Sequence, residues 1–345
     1  MKFKKKPSIK DVAKMAGVSP ALVSLALNEK PYVSKEAKEK IFAAVKKLDY
    51  RPNIVARSLR KKSTGIIGLV LSDITNPFYP EIARGVEEKA RELGFSVILC
   101  NTDADPFREK SLIDILLSRQ IDGLIITSAR SDQDVYHLVR ENCPIVLVNR
   151  DPFPGRFDFV GIDNISSAKM AVNHLIKLGH KKIAFIEGEP ASPASFGRYE
   201  GYKEALEEAK IFLPEDYVRI GYLRYEGGYK AMLSLLEHPS PPTAVFCAND
   251  MMALGAIGAC LKKDVRVPED VAIVGFDDMW IASLENVQLT TVRQPRYEMG
   301  KKAVELMMER IKGKRKKVKR IILPTKLVVR KTCGKFLKGD RNGDT

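Results

Sequence analysis

From Ile66 onward the chain repeats one kind of unit: a short apolar run rich in β-branched residues, then a segment of helical periodicity. The runs Ile66–Leu71, Val97–Cys100, Leu124–Thr127, Ile145–Val148, Ile183–Ile186, Ala244–Cys247 and Val271–Val274 lack polar alternation, so each predicts a strand buried on both faces. Between them, helices are predicted over 79–93, 107–119, 165–178, 199–210, 227–237, 250–263 and 296–312. Strands of this type separated by helices make parallel sheets with helices on both sides. There are too many units for one small sheet, and two similar α/β halves fit. In such sheets a ligand sits in the crevice outside the carboxyl ends of the strands.

The first 62 residues are of another kind. They hold 17 Lys and Arg against 5 Asp and Glu, which is +12 of the chain's net +15. That density is the footprint of a polyanion binder or of a solvated tail, and periodicity decides between them. Ser8-Ile9-Lys10-Asp11 reads as a capping box, followed by Val12, Ala13 and Ala16 at helical spacing and by Gly17 as a turn. Ser19 then caps a second helix with Pro20 at its first position, running to about Asn28. A third helix, from Ser34 to about Asp49, puts Ala37, Ile41, Val45 and Leu48 on one face. Three small helices, the first two joined by a glycine turn, form a helix-turn-helix arrangement with its own core rather than a tail.

Composition excludes several classes. No apolar run approaches the length of about 18 residues that a membrane helix needs. The charged start Met1–Lys6 leads into Pro7-Ser8 without the apolar stretch of a signal peptide, so a cytoplasmic protein is expected. The five cysteines are scattered and form no C-x-x-C pair, and no His pair follows H-E-x-x-H, so neither a disulfide framework nor a metal site is expected. No cofactor is expected either. G-x-G-x-x-G, G-x-x-x-x-G-K-[ST] and G-x-S-x-G are all missing, which argues against an enzyme.

The residues also carry a resemblance. Ile9–Ser19, Val23-Ser24, Ala26-Leu27-Asn28, Tyr50-Arg51-Pro52-Asn53 and Val55–Leu59 resemble the headpiece of the lactose/galactose repressor family of bacterial transcription regulators. The likeness continues through Asn76-Pro77-Phe78-Tyr79, Gly179-His180, Ala248-Asn249-Asp250, Met252–Gly255 and Val274–Asp277, in unbroken order over residues 8–332. It implies a small all-α helix-turn-helix headpiece plus an α/β core of two doubly wound parallel-sheet subdomains, like type I periplasmic binding proteins. The implied boundaries are 1–50 for the headpiece and 51–62 for a hinge helix. One subdomain is 63–163 with 294–323, the other 164–293 with 324–333, and 334–345 is a polar tail. The tail has no leucine heptad, so a homodimer is expected rather than a larger assembly. The implied function is a ligand-responsive repressor that binds operator DNA, with a small effector, most simply a sugar, between the subdomains. Two further readings stay open: a regulator sensing a nucleobase or a phosphorylated partner protein, and a cytoplasmic solute-binding protein without a regulatory role.

The resemblance assigns DNA contact to Ser19, Pro20, Ala21, Ser24, Leu25 and Asn28 of the second helix, and to Asn53, Val55, Ala56, Arg57 and Leu59 of the hinge. Many relatives carry a long polar residue where Leu25 stands. Leu22 and Leu25 are either core residues or an apolar reading face; Leu25 in the groove can touch thymine methyls but cannot fork onto guanine. Leu59 matches the family position that wedges a base step, a deformation offset by wider DNA contact. For the effector, Phe78 and Tyr79 open a helix after a strand, where an aromatic face stacks on a sugar or purine or simply packs. Asn149, Arg198, Asn249 and Asp277 follow strand ends or open helices and suit vicinal hydroxyls. Asn76, Asp103, Asp163 and Asp250 are nearby candidates, Asp250 also as a helix N-terminal charge. Leu223 stands at a position often aromatic in the family, and Ser192 and Ala194 stand where purine-binding relatives carry Arg and Thr, which favours a sugar. The run Lys312–Arg320, with seven cations, is either a second nucleic-acid patch or a solvated loop of the effector domain; the second reading is preferred.

Overall fold

The computed structural model describes residues 7–27, 32–50, 63–127, 129–130, 143–190, 192–212 and 214–334. Asn28 and the whole 51–62 stretch, with Asn53, Val55, Ala56, Arg57 and Leu59, lie outside the described residues. The chain divides into two compact units, Met1–Thr64 and Gly65–Thr345.

The first unit holds α1 (Ile9–Ala16), α2 (Pro20–Leu27) and α3 (Lys35–Leu48). The capping box closes as expected: Ser8 N donates to the Asp11 carboxylate at 2.8 Å, and Asp11 N returns to Ser8 Oγ. Gly17 takes the left-handed conformation (φ 68°) that ends α1 and turns the chain into α2. Ser19 and Ser34 cap the next two helices through Leu22 N and Ala37 N. Val12, Ala13, Ala16, Val23, Ala26, Val33, Ile41, Ala44 and Tyr50 close the core. A unit this small buries little surface, so side-chain caps contribute a large share of its stability.

The second unit contains two six-stranded sheets. The first is built from β1 (Ile66–Leu71), β2 (Ser96–Asn101), β3 (Gly123–Thr127), β4 (Ile145–Val148), β5 (Asp158–Ile162) and β11 (Arg320–Leu323) in the order β11-β5-β4-β3-β1-β2. The second uses β6 (Ile183–Glu187), β7 (Val218–Ile220), β8 (Ala244–Cys247), β9 (Ala272–Asp277), β10 (Thr290–Arg293) and β12 (Lys326–Val328) in the order β12-β10-β9-β8-β6-β7. All strand pairs are parallel except β10 with β12. The helices α4 (Phe78–Glu92), α5 (Pro106–Ser118) and α10 (Arg296–Ile311) cover the first sheet. The second is covered by α6 (Asn164–Lys177), α7 (Pro193–Glu208), α8 (Tyr225–Leu236) and α9 (Asp250–Lys262). The chain passes between sheets after β5, after β10 and after β11.

Strands absent from the sequence reading are short, and several are polar. β7, β11 and β12 are half-exposed sheet edges. β5 is fully buried but starts with a charge, Asp158, and its polarity is answered from outside the strand. The Asp158 carboxylate accepts from Arg310 Nε (2.8 Å), both terminal nitrogens of Arg315 (2.7 and 2.8 Å) and Lys319 N (2.8 Å). Burial pushes its pKa up, but the Arg315, Arg310 and Lys319 hydrogen bonds outweigh that and hold it below the ordinary range. The 312–320 run is therefore not simply solvated: Arg315 folds onto Asp158 and Arg320 onto Asp151, while Lys312, Lys314, Lys316 and Lys317 stay exposed. α7 starts six residues before the expected 199, because Pro193 occupies the first turn, where its missing N–H costs nothing.

α4 and α10 cross at glycine. A Cβ on Gly85 would stand 2.1 Å from Tyr297 O, and one on Gly300 would stand 2.2 Å from Ile82 O. Both obstacles are backbone, so the helices must part to admit even a methyl group. Gly85→Ala is expected to destabilise the core by about 1–3 kcal/mol, read as a lower urea midpoint; an unchanged midpoint would show that the crossing relaxes freely.

Candidate functional site

Each sheet has strand order 2-1-3-4-5-6 in its own sequence, which places a topological switch point between β1 and β3 and another between β6 and β8. Chains leaving such strands diverge and open a crevice at their carboxyl ends. The two crevices meet as one cleft that is open to solvent. From the first sheet come Asn76 and the start of α4 with Phe78 and Tyr79, then Arg130 after β3, and Asn149 and Arg150 after β4. The second sheet supplies Glu189 after β6, Leu223 after β7, Asn249 after β8 and Asp277 at the end of β9. Ser192, Ala194, Ser195 and Arg198 complete the wall from the start of α7.

Arg198 is the most buried cation of the crevice, at 5% exposure. Its Nε donates to Asn164 Oδ1 at 2.9 Å, one terminal nitrogen donates to Ala248 O, and the guanidinium lies 3.9 Å from the Phe276 ring centre. Burial lowers its pKa, against the support of Asp277, whose Oδ1 is 3.9 Å from Arg198 Nη1. Asp277 accepts from Gln294 Nε2 at 2.6 Å, and its backbone is held at φ 121°. Burial pushes its carboxyl up to about 6, in spite of Arg198, Arg296 and Gln294. Asn149 (φ 67°) and Leu223 (φ 60°) are also left-handed. Side chains are seldom tolerated in such conformations unless the surroundings hold them there, and they cluster at binding sites.

A three-member ion pair spans the crevice. Glu189 Oε1 accepts from Arg130 Nη1 at 2.6 Å, and Oε2 accepts from Arg150 Nη1 at 2.9 Å, joining the second sheet's side to the first. Burial raises the Glu189 carboxyl, but the two guanidinium groups prevail and lower it. Among the described residues, the Nε atoms of Arg130 and Arg150 and Oδ1 of Asn149 are buried with no hydrogen-bond partner. Buried polar groups are nearly always paired, so three such atoms lining one crevice mark a place where a polar ligand is received. Phe78 and Tyr79 pack edge to face at 5.2 Å between centres and are at once core residues and crevice wall.

Eight expected residues thus come together: Asn76, Phe78, Tyr79, Asn149, Arg198, Leu223, Asn249 and Asp277. Asn249 is largely spent on internal contacts, accepting from Met252 N in the first turn of α9 and donating to Leu223 O of the loop after β7. Asp103 and Asp163 do not join them. Asp103 is exposed and pairs with Arg108 and Asn101, and Asp163 caps α6 through Ser166 N (3.0 Å) and Ser166 Oγ (2.6 Å). Both follow strands, but local donors claim their oxygens. Asp250 is fully buried and accepts from Met279 N and Thr291 Oγ1. Arg130, Arg150, Glu189 and Ser195 escaped the sequence reading. The first three stand two or three residues past strand ends, the position that the carboxyl-end rule nominates.

In the first unit, Ser19, Pro20, Ala21 and Leu25 (39% exposed) lie open along α2, and Ser24 is half-buried. The alternative for the two leucines divides: Leu22 packs against the headpiece core, and Leu25 does not.

Comparison with known proteins gives concordant results. Residues 8–53 match the model of bacterial regulatory proteins of the lacI family, and residues 64–331 match that of periplasmic binding proteins and the sugar-binding domain of the LacI family. The HTH-type transcriptional repressor PurR of Haemophilus influenzae (strain PittEE) is 38% identical over 334 residues, covering 96% of this chain and 99% of that one. The ribose operon repressor of Escherichia coli (strain K12) is 37% identical over 306 residues, 88% of this chain and 93% of the other. Among solved structures, a lac repressor dimer bound to operator and the anti-inducer ONPF superposes with a TM-score of 0.86 at 30% identity, covering 95% and 99% of the two chains. A complex of the transcriptional regulator CelR with cellobiose gives 0.73 at 32%, covering 94% and 99%. With a helix-turn-helix unit followed by a two-sheet core, and a family model matching each in turn, the chain belongs to the lacI family of bacterial regulatory proteins, as a ligand-responsive DNA-binding regulator.

Proposed function

We propose that this regulator is a cytoplasmic, homodimeric repressor of carbohydrate-utilisation genes whose effector is a small sugar or sugar derivative held between the two sheets. The observation that carries the effector class is the set of buried polar atoms without partners among the described residues, Arg130 Nε, Arg150 Nε and Asn149 Oδ1, beside Arg198, Asp277 and the Phe78–Tyr79 pair. Donors and acceptors beside an aromatic wall suit a ring bearing several hydroxyls, each of which donates and accepts. The role carries no catalytic step. Operator contact falls to the exposed face of α2, with Ser19, Pro20, Ala21, Ser24 and Leu25, and to the 51–62 hinge with Leu59 as its wedge. Effector binding changes the relation of the two sheets and, through the hinges, the operator affinity; its sign depends on which arrangement the ligand favours.

A thermal-shift panel of monosaccharides, disaccharides, sugar phosphates and nucleobases tests the effector class. A sugar is expected to raise the melting temperature, and stabilisation by a nucleobase alone would overturn the assignment. With the sugar in hand, pH tests Asp277. Its pKa is raised in the folded protein, so the ionised acceptor form is full above about pH 6 and empties below it. Affinity is expected to fall as pH drops through that value, by up to about tenfold per unit. The Asp277→Asn variant is expected to bind weakly and without this dependence; a flat wild-type profile in calorimetry would remove Asp277 from the contact set.

The Glu189 bridge favours closure before ligand arrives, and a ligand binds more weakly in proportion to the fraction of protein that is competent. Glu189→Gln is expected to weaken sugar binding about tenfold, the equivalent of one charge-assisted hydrogen bond. Unaltered affinity would reduce the bridge to an incidental pair. For the hinge, Leu59→Ala is expected to cost a few kcal/mol of operator affinity while leaving sugar affinity intact. Equal losses in both would contradict the wedge.

A further inference from the structure

All strands of the first sheet are parallel, so they start on a common edge. The chain enters this unit at that edge: Asp122, just ahead of β3, accepts from Gly65 N at 2.6 Å and Ile66 N at 3.1 Å. The loop between α10 and β11 finishes on the same edge, four strand positions from β1 by way of β3, β4 and β5. At about 4.8 Å per strand the separation is close to 19 Å, the length of some six base pairs of duplex.

The loop is a built structure. Besides gripping Asp158, Arg310 donates to Lys316 O (2.6 Å) and Arg315 donates to Lys317 O, so two guanidinium groups fix the loop backbone from within. What remains outward is lysine. Lys312, Lys314, Lys316 and Lys317 are exposed, and none forms an ion pair among the described residues. Arg119, in the turn that leads to Asp122, adds a further exposed cation on this edge. Complementing the negative end of α10 accounts for one or two cations in its last turn, and Arg310 already stands there. Four exposed ammonium groups on a loop held from within, at the edge where the chain enters this unit, call for a polyanion.

We propose that this edge is a second DNA-contacting surface, in which Lys312, Lys314, Lys316 and Lys317 hold backbone phosphates of the duplex flanking the operator. The proposal rests on the membership of this chain in a DNA-binding family. Such contacts carry no base sequence; they add affinity and salt dependence.

The test uses the full chain and a duplex recovered by it from a random-sequence pool, in two lengths: trimmed to the selected site, and extended by about ten base pairs on each side, about one helical turn of phosphates past the site. The wild type is expected to bind the extended duplex about tenfold tighter at low salt, with a salt slope steeper by about 2–4 units, since each neutralised phosphate contributes about 0.9. Replacing the four lysines by glutamine is expected to abolish that advantage while leaving affinity for the trimmed duplex unchanged. Equal affinities and slopes for the two duplexes in the wild type overturn the proposal, as does a quadruple variant that retains the advantage or one that loses affinity equally for both lengths.

Discussion

One guanidinium sets the geometry on which the crevice depends. Arg296 opens α10, which is packed on the first sheet, yet its nitrogens donate to the carbonyls of Asp277 and Asp278 at the end of a strand of the second. It also pairs with Glu81 in the first turn of α4, at 2.9 Å. With 4% exposure it has little water to fall back on, so losing any of these partners would leave a buried charge unmet. The conformation of Asp277, costly for a residue with a side chain by about 1–3 kcal/mol, is sustained by this grip. Asp278 next to it is also left-handed and is fixed by Arg293 and Arg330. Strain at 277–278 is therefore concentrated where the two halves are joined and where the crevice needs a carboxylate.

This arrangement makes the crevice and the joint parts of one network. Gln294 donates to the Asp277 carboxylate from within the segment that carries the chain between sheets, and Arg296 holds the Asp277 carbonyl from the same segment. A ligand group that engages Asp277 competes with contacts that also determine how the halves meet. Across the opening, the Arg130–Glu189–Arg150 bridge supplies the opposing restraint. Switching requires only that a ligand favour one balance of these contacts over another.

Much of the fold was legible in the sequence, because unalternating apolar runs separated by helical periods have few other solutions, and the capping box, the N-cap serines and the glycine turn of the headpiece are local signals. What was not legible is non-local. Asp158 at the head of β5 looks like a loop residue until Arg310 and Arg315, more than 150 positions later, neutralise it. The same partnership anchors, through Arg315, a basic run that otherwise stays exposed. At the crevice, residues chosen because they follow strand ends were brought together, except where a serine or an arginine nearby had already claimed the carboxylate, as at Asp163 and Asp103. The Glu189 bridge was invisible because its three members come from separate strand ends, and pairing across sheets leaves no periodic trace.

The chain passes between the sheets three times, near 163, 294 and 324. A single connection would let one half swivel about any axis, whereas three side-by-side ribbons can flex together but resist twisting and sliding. As a linkage, the core is thereby reduced to something close to one angle. A single angle needs no elaborate machinery to control it: a molecule the size of a sugar ring, touching both jaws, is large enough to set it.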